Sequence, residues 1–156
     1  MTLDHTRSTV GFLIRHLGVA TVRGTFSSFA ADVESGSVRG EVGVASVDTG
    51  DPIRDRRLRT EFFGADDFPS IAFEGLTEGA SRIDGSLTIR GATRPLSLTV
   101  RSERLDDGAV RLRASGRLRR SDFGLDWDAL RKAGRLLVAD NVRVFADVVL
   151  VGERHA

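Results

Sequence analysis

Cysteine is absent from the 156 residues, which excludes disulfides and thiolate chemistry and leaves either redox compartment open. Lysine is almost absent as well, Lys132 being the one lysine among 23 basic residues. Nor does either charge sign dominate: 22 acidic residues bring the net charge to +1, so no strong field marks a nucleic-acid binder. No apolar run reaches the length needed to cross a bilayer, and residues 1–5 hold no basic segment leading into one. The expectation is a soluble, cytoplasmic product. Histidine occurs only at His5, His16 and His155, too few and too scattered to mark a zinc site by themselves, although carboxylates could complete one. A nucleophile elbow, a phosphate loop, a dinucleotide fingerprint and an HExxH stretch are all missing. No catalytic residue, metal or cofactor is therefore assigned, and the expectation is a protein that is not an enzyme.

What is present is alternation. Across residues 79–101, Ile83, Gly85, Leu87 and Ile89 alternate with polar residues, and so do Leu96, Leu98 and Val100. A period of two sends successive side chains to opposite faces, which predicts two strands with one apolar face each. Between them Gly91-Ala92-Thr93-Arg94-Pro95 predicts the turn of an antiparallel hairpin, with Pro95 at the strand start. Similar runs predict a first strand over residues 10–17 and a second over 19–29, kinked at Gly24. Further strands are expected over residues 38–49, 70–76, 110–119 and 142–150, the fifth and sixth being the two halves of the hairpin. Asp106-Asp107-Gly108 marks a turn.

Asp51-Pro52 opens one helix, expected over residues 53–62, because Asp caps free N–H groups and Pro suits the first helical position. Ile53, Leu58, Phe62 and Phe63 would form its buried stripe. A second short helix is expected at residues 127–132. The sum is one all-β domain over residues 1–156: an eight-stranded, antiparallel, up-and-down barrel, preferred over a sandwich because closure removes exposed edges.

The inner wall decides function. Its expected positions include Gly24, Gly40, Gly75, Gly85, Ala114, Gly116 and Ala146 beside Phe, Leu, Ile and Val. An eight-stranded barrel is either filled by side chains or holds one small ligand, and the residues leave both open. A wall this apolar selects an apolar guest, since a polar one loses hydration without new partners. The arginines at 54, 56, 57 and 59 are either a solvated helix face or a mouth for an anionic head group, and Arg54 and Arg94 can equally be structural. Two rival readings remain. One is an enzyme using His16; the other is a filled-core module whose arginine-rich outer strand meets a partner or an anionic membrane.

Ser8-Thr9-Val10-Gly11-Phe12-Leu13-Ile14-Arg15-His16, Arg23-Gly24-Thr25-Phe26, Phe62-Phe63, Phe68-Pro69, residues 85–95 of the hairpin and Arg120-Ser121-Asp122-Phe123-Gly124 occur in an order that resembles the YceI-like family. The resemblance spans nearly the whole chain and implies a lipocalin-like barrel carrying polyisoprenoid lipids, such as a polyprenyl diphosphate or an isoprenoid quinone, or a fatty-acid-like chain. Where that family usually has histidine, this chain has Arg7 and Arg57, and Gly64 replaces a usual acidic residue, so roles resting on those groups do not carry over. The residues expected to touch an apolar tail are Phe12, Ile14, Phe26, Phe62, Phe63, Phe73, Leu87, Ile89 and Phe123. Those expected at its polar end are His16, Arg54 and Arg94. The partner implied is a small lipid rather than nucleic acid, and a homodimer is left open.

Overall fold

The hairpin forms around a tighter turn than its sequence suggests. Arg90 (φ 51°) and Gly91 (φ 77°) are the whole connection, a two-residue reversal whose twist matches the flanking strands. The strands are β7 (Arg82–Ile89) and β8 (Ala92–Arg104). Residues 92–95, expected in the turn, already belong to β8 and pair with 86–89. Pro95 is tolerated there because the pairing of β8 with its other neighbour starts only at Thr99.

The computed structural model describes residues 1–16, 20–125 and 138–152. The helix expected at 127–132 lies outside them. The other strands are β1 (Thr2–His16), β2 (Ala20–Phe26), β3 (Phe29–Glu34), β4 (Ser37–Gly43), β5 (Val47–Asp48), β6 (Ser70–Glu78), β9 (Val110–Arg119) and β10 (Val138–Val151). They form one antiparallel sheet in the order β3-β4-β6-β7-β8-β9-β10-β1-β2-β5. Among the described residues there are ten strands rather than eight, because the chain breaks pairing at Ser27-Ser28 and again at a short turn over Val44–Ser46. The expected second strand thus becomes β2 and β3, and the expected third becomes β4 and β5.

That break also curls the sheet. β2 and β3 lie near opposite ends of the sheet order, yet only Ser27 and Ser28 separate them along the chain. The sheet therefore curls and brings its two ends toward each other. Among the described residues no ladder joins β3 to β2 or β5, so the expected full closure is not reached and β3 and β5 remain edges. A second tie is His5 of β1, whose ring stacks on Phe29 of β3 at 4.8 Å and whose Nε2 donates to the Phe29 carbonyl at 2.6 Å.

α1 (Pro52–Arg57) begins as expected: Asp51 Oδ1 accepts from the backbone N–H of Ile53 (3.0 Å) and Arg54 (3.2 Å). It stops early. From Leu58 to Phe62 the chain takes a wider turn, in which Phe63 N–H reaches back five residues to the Leu58 carbonyl at 2.8 Å. The wide turn brings both Phe62 and Phe63 inside, their rings 5.0 Å apart and edge-to-face. The expected stripe fails at Ile53, which is 74% exposed, because Asp55 takes the inward position of so short a helix. The buried Asp55 carboxylate accepts from Thr49 N–H and Oγ1.

Candidate functional site

The inward side chains surround a hollow of about 240 Å3. It runs inside the barrel between a packed end and the β3–β4 side. The packed end is built by Phe26, Leu58, Phe62, Phe63, Phe123 and their neighbours. Phe12, Phe26 and Phe63 meet in tilted and edge-on contacts at 5.8–6.5 Å, so aromatic edges rather than chain ends seal this region. Farther along, Phe12, Ile14, Ile71, Phe73, Leu98 and Val144 point inward yet remain only half-buried. They face empty space instead of a packed neighbour.

The glycines act differently from one another. Gly40 lines the hollow directly. At Gly24 a Cβ would lie 2.3 Å from Cζ of Phe12, so the missing side chain is what lets the Phe12 ring lie against the wall. The rings of Phe73 and Phe12 thereby cover glycines that the sequence pattern placed along the open lumen.

Eight of the nine residues expected at an apolar tail line this space: Phe12, Ile14, Phe26, Phe62, Phe63, Phe73, Leu87 and Ile89. Phe123 is buried in the packing that closes the end and does not border the hollow. The expected polar end is distributed elsewhere. Arg54 donates through Nε to Thr49 Oγ1 (2.8 Å) and through Nη2 to the Thr49 carbonyl (2.9 Å), which fixes the start of α1. Arg94 is exposed and donates to the Thr93 carbonyl at 2.8 Å. His16 ends β1 opposite Ala20, and its side chain lies outside the description.

Arg39, Glu41 and Arg120 are the polar residues of the wall among those described. Arg39 is exposed and pairs with Glu74 at 3.1 Å, whereas Arg120 is buried. Its Nη1 donates to the Leu125 carbonyl (3.0 Å) and its Nε to that of Ala139 (3.2 Å). The short turn that carries it, Arg120–Phe123, is pinned by Asp140, which accepts from Ser121 Oγ (2.7 Å), Ser121 N–H (3.0 Å) and Arg119 Nε (3.1 Å). Burial works to raise the Asp140 carboxyl, but those hydrogen bonds outweigh it and hold the group below the usual carboxylate range. Sequence reasoning quoted Arg120 only within the family-like Arg120–Gly124 stretch and gave it no site role. It also missed Ala31 and Val33, because β3 was not separated from β2.

Arg7 has a structural position. β1 bulges between Asp4 and Thr9, and there Arg7 donates to Asp4 (2.8 Å) and to Asp107 of the β8–β9 turn (2.8 Å).

With this geometry in hand, the comparisons with known proteins are decisive. The family model described as YceI-like domain matches residues 1–150. The chain belongs to the YceI-like family. A UPF0312 protein of Staphylococcus aureus strain N315 is 27% identical to this YceI-like chain, over 91% of each. Among solved structures, Burkholderia cenocepacia BcnA superposes with a TM-score of 0.83 at 21% identity, covering 96% of this chain and 99% of that one. A polyisoprenoid binding domain from Saccharophagus degradans does so with 0.79 at 15% identity, covering 97% and 98%. The YceI protein of Campylobacter jejuni gives 0.72 at 21% identity over 90% of each chain. These neighbours share the curled antiparallel sheet described above.

Proposed function

We propose that this YceI-like protein binds an isoprenoid lipid, a polyprenyl diphosphate or an isoprenoid quinone, with its tail inside the barrel, and so sequesters or carries it. The observation that carries the reading is the apolar hollow of about 240 Å3. Such a space holds more than ten times the volume that one water needs, but its wall offers almost no polar partners, so it stays dry. Left empty, at about 24 cal/mol per Å3, it costs roughly 6 kcal/mol against a filled interior. That is comparable to the whole net stability of an ordinary domain. A hydrocarbon tail offsets this cost and gains about 0.8 kcal/mol for each methylene withdrawn from water. The polyisoprenoid binding domain of Saccharophagus degradans, which shares the fold, adds support.

Shielding a chain from water requires no general acid, nucleophile or metal, so the reading is of a carrier and not an enzyme. Arg120, the buried guanidinium of the wall, is the residue best placed to meet a polar head group. The test is solvent extraction of protein purified from its own host, followed by mass spectrometry, with titration of the emptied protein by defined polyprenyl lipids. A prenyl lipid recovered near one per chain supports the proposal, and a fatty-acid-like chain redirects it to another tail. Recovery of nothing apolar, together with no binding of added lipid, overturns it.

A further inference from the structure

A near-neutral chain conceals an uneven distribution of charge. On the outer face of β8, β9, β10, β1 and β2 the register sets Arg101 directly opposite Arg113, and Arg117 directly opposite Arg143. Like charges facing each other across a ladder are destabilising. Leu13 continues the second row and brings Arg23 beside it, about 14 Å from Arg117 at three strand spacings of ~4.8 Å. Arg15 lies two residues farther along β1. All six are exposed.

Two of the acidic groups near them are already engaged. Asp147 receives Arg111 through two hydrogen bonds, at 2.8 and 3.0 Å, leaving Arg113 at 3.6 Å. Asp140 is held by Arg119 and Ser121. Among the described residues, Arg15, Arg101, Arg117 and Arg143 have no carboxylate at ion-pair distance, and Arg23 stands over the Phe145 ring at 5.1 Å. Counting Arg111 and Arg119, eight arginines share the face with Glu103, Asp140 and Asp147, an excess of five positive charges. Fifteen basic and nineteen acidic side chains remain for the rest of the sequence, which leaves it at −4. A groove of about 270 Å3 opens within the patch between Thr99, Arg101, Arg113, Ser115, Phe145 and Asp147.

We propose that this face docks the protein onto an anionic bilayer. Guanidinium groups take phosphate oxygens in bidentate geometry, and here they form a broad array rather than one shaped pocket, which suits many headgroups more than one ligand. Phe145 and Leu13, set among the arginines, supply apolar surface at the level of the headgroups. The unfavourable arginine pairs are relieved when lipid phosphates come between them. The inference stands apart from what the barrel holds.

The test uses the full chain and vesicles of phosphatidylcholine with and without phosphatidylglycerol, read by co-sedimentation. The native protein is expected to pellet only with phosphatidylglycerol vesicles, and to be released by salt. In the double variant Arg101→Glu/Arg117→Glu each new carboxylate faces an arginine, so the melting temperature holds or rises. Binding should still fall about 25-fold or more, at roughly fivefold per arginine. A control of equal charge change on α1, Arg56→Glu/Arg57→Glu, should bind as the native protein does. Uptake of an apolar fluorescent probe by the barrel, unchanged in both variants, separates this result from failure of the lipid-cavity reading. Equal binding to both vesicle types, no binding at all, or equal loss in the control overturns the proposal.

Discussion

Ala146 offers the sharpest test of whether the barrel is hollow. It lies on the inner wall with Ala114 opposite on one side and Val10 on the other, and all three border the cavity. Replacing it with phenylalanine adds a ring to that space. In a packed interior the extra bulk costs about 1–3 kcal/mol through displaced neighbours. In a hollow of about 240 Å3 the ring finds room, and fully burying a phenylalanine side chain is worth about 1.5–3 kcal/mol. The two cases differ in sign. At roughly 2–4 °C per kcal/mol for a chain of this size, the hollow barrel predicts a melting temperature raised by about 3–12 °C in lipid-free protein. It also predicts weaker uptake of an apolar fluorescent probe, because ring and probe compete for the same space. Thermal unfolding by circular dichroism and a probe titration give both readouts. A melting temperature lowered by several degrees with probe uptake unaltered would refute the reasoning.

Gly24→Ala should push the Phe12 ring into the lumen, reducing probe uptake, because the added methyl group would lie 2.3 Å from the ring. Asp51→Ala removes the acceptor for two N–H groups of α1 and should cost about 1 kcal/mol, read as a fall of roughly 2–4 °C in the melting temperature. Arg54→Ala should loosen the start of α1 without changing lipid uptake, since its guanidinium is held by Thr49, away from the cavity; a lost affinity would restore it to the polar end. Asp84 is held below its ordinary value of 3.8 by the Ser97 hydroxyl and then by Arg82. Its contribution to stability is therefore complete above that value and disappears as pH falls through the lower folded one. Asp84→Asn should lower the melting temperature at pH 7, and the difference from native should shrink in acid below about pH 4. A constant difference across that range would contradict the assignment.

Alternation along residues 82–89, 96–100, 110–118 and 142–148 was enough to identify the strands and their inward faces, because side-chain direction in a strand follows from local parity. For the same reason eight of the nine expected tail contacts line the cavity. The cap of α1 was also legible, as Asp51 and Pro52 act within a few residues of themselves. Three things came only from the assembled sheet. Strand count depended on where pairing partners ran out, so the break at Ser27-Ser28 was invisible until β2 and β3 were seen near opposite ends of the sheet order. Whether a glycine opened the lumen or merely made room for a ring depended on the neighbouring strand, as Gly24 and Phe12 show. The arginines divided in the same way: Arg54 and Arg7 are used as struts and Arg120 is buried, while those of β8 to β2 gather on one face through register. Periodicity fixes which way a side chain points, but what it meets there is set by residues far away in the chain.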